Sequence, residues 1–272
     1  MSTSQEVDDP PETTTPASST TTTTTATSSN IRLGPRGVFV LGVWLSFLIY
    51  AAFFSPGEAA SPILFEIVKH PLKPHVNTIY FAIFNMLGAL GAIYPALLAS
   101  GEVYQPVPLL PFGVGSLFTG FFSIGPYLAV RKFRSKFDTN KKLTRLASIT
   151  ESKAFGTGLL AFALFCYAIA LGVMDEPGTR DALFYERTIE LRSLFKTDKL
   201  VNVSMIDFAL LSVFMWGPLT EDMARRSLFS EKSPTDILTA LIILTAPVLG
   251  PSLYLVLRPS LDRRSKDVQK RG

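Results

Sequence analysis

Cysteine, histidine and charged residues are scarce in this chain of 272 residues, which has one cysteine, two histidines and 18% charged residues. The single cysteine, Cys166, excludes a disulfide framework and a cysteine metal site. His70 and His75 are too few for a histidine-rich metal centre, since three or four protein ligands are usual around a metal such as zinc. We therefore expect neither a metal nor another cofactor.

The low charge is the more informative scarcity, because a soluble domain of average composition carries about 25% charged residues. Apolar residues make up 47% of the chain, and the mean hydropathy is +0.30. They occur in blocks of about 16 to 24 residues, the length with which a helix crosses a hydrocarbon core of roughly 30 Å. This pattern excludes a soluble enzyme, a secreted disulfide domain and a nucleic-acid-binding module. It predicts an all-α, polytopic bundle of transmembrane helices.

The blocks predict about six spans between two polar tails. Residues 1–30 are rich in Ser and Thr and lack Lys and Arg, so we expect a disordered tail. Residues 259–272 form a basic tail. The predicted transmembrane domain is 31–258, with spans near 37–54, 76–99, 109–130, 154–174, 203–219 and 237–257.

The orientation in the membrane stays open at this stage. If all six segments cross, the 26 Lys and Arg residues divide into 13 on each side, and the positive-inside rule gives no answer. The segment 203–219 is short and contains Asp207. A half-crossing or peripheral helix is the alternative there, which would break the tie.

Two of the loops have distinctive compositions. The loop 131–153 has eight Lys and Arg residues, and we expect these cations to anchor it at anionic lipid headgroups. A specific lipid site or a docking site for a membrane-protein partner is the alternative. In the next loop, 180–196 mixes both charges with Phe184, Leu191 and Phe195 at helical spacing, which predicts a helix lying along the interface.

Asp207 is the most informative single residue. A carboxyl group inside a membrane segment costs several kcal/mol unless it is paired, protonated or in contact with water. One interpretation is therefore a proton or ion path, or a ligand site, in which Asn85 of the second segment takes part. The other is a position near the headgroups with a cation such as Lys199 as partner.

The densest group of polar residues lies between Trp216 and Arg226. Thr220 could cap a short helix with acidic residues in its first turn and basic residues after them. Asp222 and Arg226 then form an i,i+4 ion pair. This structural interpretation competes with a catalytic one that would use Glu221, Asp222 and Arg225.

Gly-Pro pairs interrupt two of the predicted spans, at Gly125-Pro126 and Gly250-Pro251. Interrupted helices in corresponding positions of two halves can mark a transporter site, and a three-plus-three arrangement would place these two so. The sequence shows no matching repeat.

Several short motifs occur along the predicted spans: Phe81–Gly88, Pro111-Phe112, Gly125–Leu128, Ile206–Phe208, Asp222 and Arg225-Arg226. Together they resemble an uncharacterised family of multi-span membrane proteins found in cyanobacteria and in the plastids of algae and plants. The resemblance covers roughly residues 37–258 and implies a plastid membrane, thylakoid or envelope, but no particular activity and no functional residues.

Three functions remain, in order of preference. The first is a non-enzymatic scaffold, accessory or assembly component of a membrane complex, because no catalytic motif occurs. The second is a carrier or channel for a small solute or a proton that uses Asp207 and Asn85. The third is a membrane enzyme acting on lipid or pigment. No nucleic-acid partner is expected from any of them.

Overall fold

The computed structural model describes residues 33–58, 61–71, 74–134, 144–173 and 180–261, so the predicted amino-terminal tail and most of the predicted carboxy-terminal tail lie outside it. Within these residues every regular element is helical, which confirms the predicted all-α fold. The helices are α1 (Pro35–Ile49, with a π-helical turn to Phe54), α2 (Pro62–Lys69), α3 (Thr78–Leu98, with a 3-10 turn to Tyr104), α4 (Leu110–Thr119), α5 (Phe121–Val130), α6 (Arg145–Thr150), α7 (Lys153–Ala170), α8 (Arg180–Thr197), α9 (Lys199–Phe214), α10 (Trp216–Arg225), α11 (Pro234–Thr245) and α12 (Leu249–Leu257).

Polar side chains fix where the long helices begin. Asn77, Ser152 and Asp198 stand directly before α3, α7 and α9, and each accepts a hydrogen bond from the backbone N–H three residues later. Such caps satisfy N–H groups that have no partner within the helix. α1 begins instead with Pro35, whose missing N–H is of no consequence in the first turn.

Four helices in the described part of the chain are long and apolar enough to cross a membrane, against the six spans predicted. They are 35–54, 78–104, 153–170 and 199–225. The predicted short segment 203–219 is part of the last of these, since α9 and α10 run on from each other through Met215. The prediction of six spans is therefore wrong at the third and sixth segments.

The third predicted span, 109–130, is two antiparallel helices. At Gly120 the chain turns with a φ of 56°, a conformation that glycine adopts without strain. The Ser123 hydroxyl donates to the carbonyl of Phe112 at 3.1 Å, and the rings of Phe112 and Tyr127 lie 5.7 Å apart. Ten residues of helix reach about 15 Å, half the thickness of a hydrocarbon core. The pair α4–α5 is termed the first hairpin, with its tip at Gly120.

The sixth predicted span, 237–257, is interrupted in the same way. Val248, with a φ of 66°, separates α11 from α12, and a Cβ atom on Gly250 would collide with the carbonyl of Ile243 across the break. Arg226, before α11, donates to the carbonyl of Pro259, after α12. The chain thus enters and leaves this second hairpin, α11–α12, at the same end of the bundle.

Each break lies a few residues before the Gly-Pro pair that predicted it. The prolines do not form the turns; each leaves one backbone carbonyl of its helix without an N–H partner. A proline in a helix lacks the N–H that would bind the carbonyl four residues earlier. Side chains of neighbouring helices donate to these carbonyls instead. The three cases are Ser116 to the Gly91 carbonyl (3.0 Å, before Pro95), Trp44 to the Phe122 carbonyl (3.0 Å, before Pro126) and Tyr167 to the Pro247 carbonyl (2.9 Å, before Pro251).

The order of elements repeats in the two halves of the chain. A long apolar helix, an intervening shorter or more polar helix, a second long helix and a hairpin follow one another in 35–130 and again in 153–257. The first long helix of each half meets the returning helix of its own hairpin at a glycine. A Cβ atom on Gly37 would collide with the carbonyl of Ala129, and one on Gly156 would lie 3.1 Å from the backbone of Leu255.

α8 crosses the end of the bundle opposite to the one where the hairpins begin. Its predicted helical structure is confirmed. Asn77 donates to the carbonyl of Arg187 at 2.8 Å and to the carboxylate of Glu190 at 2.7 Å, and Leu191 is buried. These contacts join α8 to the beginning of α3.

Candidate functional site

Asp207 lies in the middle of the bundle, where α9 meets the tip of the first hairpin. Its side chain is 5% exposed, and one carboxylate oxygen accepts the N–H of Phe121, the first residue of α5, at 2.8 Å. A Cβ atom on Gly120 would collide with this carboxylate. Asp207 therefore caps a helix of another segment, where a negative group also opposes the positive helix end.

The alternative in which Lys199 is the partner of Asp207 is wrong. The Lys199 ammonium donates to the carbonyl of Ala52 at 3.4 Å. Asp207 accepts one hydrogen bond from the described residues, the one from Phe121, so its second oxygen has no partner among them.

A cavity of about 650 Å³ adjoins Asp207 and brings it together with Asn85. The Asn85 amide donates to the carbonyl of Phe81 at 2.8 Å within α3. Aromatic and aliphatic side chains form most of the wall. The other lining residues are Phe84, Leu87, Gly88, Ala89, Ser116, Leu117, Phe118, Thr119, Gly120, Phe122, Phe162, Leu200, Val203 and Ser204.

A second polar site, buried and separate from the cavity, connects the ends of both hairpins. Burying charges is tolerated where they are paired and hydrogen-bonded, and each side chain here is at most 8% exposed. We term it the arginine network; its members are Arg131, Arg225, Arg226, Arg258, Glu151, Glu221 and Asp222.

Glu221 connects α10 to the first hairpin. Its carboxylate pairs with Arg131, the residue directly after α5. Arg225, one turn further along α10, lies 3.3 Å from Glu221 and donates to the carbonyl of Leu97 at 3.2 Å and to the hydroxyl of Ser100. Glu221 and Arg225 thereby join the end of this hairpin to the end of α3 and its 3-10 turn.

Asp222 connects α10 to the second hairpin. Arg258, the residue directly after α12, lies 2.9 Å from its carboxylate. The predicted ion pair with Arg226 is confirmed at 2.9 Å, and the Tyr254 hydroxyl donates at 2.8 Å. Both arginines also pair with Glu151.

The predicted residues Glu221, Asp222, Arg225 and Arg226 thus come together, but not at the cavity. Their exposures are 0%, 0%, 3% and 5%, and their charged groups are bound to one another. The prediction that Thr220 caps a helix is wrong, because α10 begins at Trp216 and the Thr220 hydroxyl donates to its carbonyl at 2.8 Å. The catalytic interpretation required Glu221 and Asp222 to line an open pocket, whereas both side chains are fully buried.

Two cations of the basic loop 131–153 bind within the protein. Arg131 belongs to the buried arginine network, so the expectation that it anchors lipid headgroups is wrong. Lys153 donates to the carbonyls of Val256 and Arg258 but is exposed. Lys132 and Arg134 are exposed too, so for these three residues the expectation stays a prediction.

Arg258 and Glu151 were not predicted from the sequence, and Arg131 was assigned to the wrong role. One signal could have indicated the two arginines: each follows a Gly-Pro pair by a few residues, Gly125-Pro126 before Arg131 and Gly250-Pro251 before Arg258.

The two histidines come shortly after α2 in the chain, at one end of the bundle. Glu66 accepts a hydrogen bond from the backbone N–H of His75 at 3.1 Å and contacts the His75 ring at 3.0 Å; both contacts lower the pKa of this carboxyl. The described residues contain no group of three or more His, Cys, Asp or Glu side chains that could hold a metal ion.

Comparison with known proteins finds no relative: no family model, no curated protein and no solved structure matches the chain. A function must therefore be inferred from the geometry of the two sites.

Proposed function

We propose that the protein is a multi-pass membrane carrier or channel for a small solute or a proton, with Asp207 in its binding site. One observation supports this most: a buried carboxylate and the tip of a hairpin lie at the inner end of a cavity that opens to the outer surface of the bundle, where Phe118 is 83% exposed. Irregular backbone at membrane depth is tolerated where it is buried in protein or lines a cavity. Transporters use interrupted helices in this way to form binding sites. The proposal places the second sequence-based hypothesis ahead of the scaffold hypothesis.

The repeated order of elements gives independent support. Many transporters consist of two halves with the same order of elements, with the substrate site between them. Asp207 belongs to the second half of this chain and caps the hairpin of the first half. A movement of one half relative to the other would therefore change the contact between Asp207 and the hairpin tip.

With four spans and two hairpins, the Lys and Arg residues no longer divide equally between the two sides of the membrane. We propose that both hairpins enter from the end that contains the arginine network. This end then carries the amino-terminal tail, the third and fifth loops and the carboxy-terminal tail, with 2, 8, 3 and 6 Lys and Arg residues. The opposite end carries 2 and 5, in the first and fourth loops. By the positive-inside rule, a division of 19 to 7 supports the cytoplasmic or equivalent side for the network end.

Proton flux into proteoliposomes tests the proposal. We expect vesicles that contain the protein to dissipate an imposed pH gradient faster than empty vesicles, and Asp207→Asn to abolish the difference. Asparagine still accepts the hydrogen bond from Phe121, so the hairpin tip keeps its cap while the ionisable group is lost. Asp198→Asn is the matched control, because Asp198 caps the beginning of the same helix. Equal loss of flux in both variants would contradict a role for Asp207.

A scaffold or accessory component of a membrane complex is the second candidate. The apolar windows of α1 and α7 are only 17% buried, and Phe39 and Phe165 are 64% and 49% exposed. Lipid or the helices of a partner cover such faces. Photo-crosslinkers at these two positions would identify partners in a mild detergent extract. Reproducible partners together with unchanged function of Asp207→Asn would favour the scaffold over the carrier.

We propose a plastid membrane as the location, because the motifs resemble a family found in cyanobacteria and plastids. A fluorescent fusion to the carboxyl terminus tests this directly. Fluorescence in a membrane other than a plastid membrane would contradict it.

A further inference from the structure

We infer that the cavity at Asp207 binds a lipophilic organic cation, a molecule with one positive charge on a largely apolar body. The inference rests on the proposed function and specifies the chemical class of the solute. Three properties of the cavity carry it: its charge, its wall and its size.

The charge of the cavity is one uncompensated carboxylate. Asp207 is the only charged residue among those that line it in the described part of the chain. Its hydrogen bond with Phe121 uses one oxygen, and the other has no partner there. In a medium of low dielectric constant such a group attracts a cation and excludes an anion.

The wall of the cavity suits an organic cation better than a metal ion. Phe84, Phe118, Phe122 and Phe162 line it, and the face of an aromatic ring attracts a cation. A hard metal ion of the calcium or magnesium type takes about six or more oxygen ligands. Asp207 is the single carboxylate here, and the remaining oxygens belong to a few neutral side chains and the backbone.

The size of the cavity suits a molecule rather than a bare ion. A volume of about 650 Å³ lies within the range of roughly 300–1,000 Å³ typical of ligand pockets. Leu87, Leu117 and Val203 add apolar surface next to the phenyl rings. An apolar body gains free energy there from burial of its surface, and the carboxylate selects the sign of its charge.

Two probes of nearly equal size and opposite charge test this: tetraphenylphosphonium, a cation, and tetraphenylborate, an anion. Equilibrium dialysis of the purified full-length protein in detergent, against protein-free micelles, measures both affinities. We expect the cation to bind and the anion not to bind. Asp207→Asn should weaken binding of the cation about tenfold or more, while Asp198→Asn leaves it unchanged.

A second variant separates the site from the charge. A Cβ atom on Gly88 has only the carbonyl of Leu117 nearby, at 3.8 Å, so Gly88→Leu is compatible with the backbone and extends a side chain into the cavity. It should also weaken binding of the cation about tenfold. Unfolding midpoints of the variants measured in the same detergent identify any that fail to fold.

Each outcome decides the inference. Equal binding of both probes, or binding that is unchanged in Asp207→Asn or in Gly88→Leu, overturns it. If the cation does not bind but Asp207→Asn abolishes proton flux, the inference fails and the proposed function stands. If neither binding nor flux depends on Asp207, both fail.

Discussion

Asp222 gives the sharpest test of how the arginine network stabilises the bundle. Its carboxylate pairs with Arg226 and Arg258 and accepts a hydrogen bond from the Tyr254 hydroxyl. The Asp222 side chain is fully buried. In Asp222→Asn the four arginines of the network face two carboxylates instead of three. Removing one partner of a buried ion pair costs about 3–5 kcal/mol. We expect the free energy of unfolding to fall by about this amount.

Chemical unfolding in detergent micelles, followed by tryptophan fluorescence, measures the change, because Trp216 begins the helix that holds Asp222. Glu231→Gln is the matched control: Glu231 is exposed, and surface changes usually stay within about 0.5 kcal/mol. Adding Arg258→Met to Asp222→Asn removes one of the two cations that lose Asp222 as a partner and restores the charge balance of the network. We expect the double variant to lose at least about 1 kcal/mol less than the sum of the single variants. Additive losses, or a loss below about 1 kcal/mol for Asp222→Asn, would refute the reasoning.

Three further predictions concern single contacts. Gly120→Ala places a side chain against Asp207 at a positive φ, so it should cost about 1–3 kcal/mol in the same unfolding assay, whereas Gly158→Ala, in open space on α7, should cost nothing. Tyr167→Phe loses its bond to Pro247 and should cost about 1 kcal/mol. The lowered pKa of Glu66 means that its contact with His75 is present above the ordinary carboxyl pKa and is lost as the pH falls through the lowered value. His75→Ala keeps the hydrogen bond from the backbone N–H and removes the one from the ring, so the midpoint of an NMR titration of Glu66 should rise part of the way to the ordinary value; an unmoved midpoint would contradict a contribution of the ring.

Local patterns in the sequence were sufficient for the features that depend on neighbouring residues. The apolar blocks located the long helices, and the spacing of four residues located the Asp222–Arg226 pair. The cavity wall was partly predictable, because a carboxyl and an amide inside apolar segments both need a polar or enclosed surrounding. Asp207 and Asn85 indeed line one cavity.

The hairpins could not be predicted from hydropathy, because an apolar block of 22 residues has the same mean hydropathy as one helix or as two short helices. The Gly-Pro pairs indicated an interruption, but the turn itself occurs where a residue adopts a positive φ, at Gly120 and Val248. The partners of Arg131 and Arg258 are distant in the sequence. A basic residue next to an apolar block is usually a lipid anchor, and only the three-dimensional contacts distinguish these two.

The position of Arg258 after the last hairpin has a consequence for biosynthesis. Arg131 and Glu151 precede α10 in the chain, so Glu221 can find its partner as soon as α10 is made. Asp222 already has Arg226 one turn further along its own helix, but its second arginine, Arg258, comes into place only after the second hairpin has been synthesised and has folded back. The bundle is therefore completed late, and until then Asp222 has one of its two arginine partners.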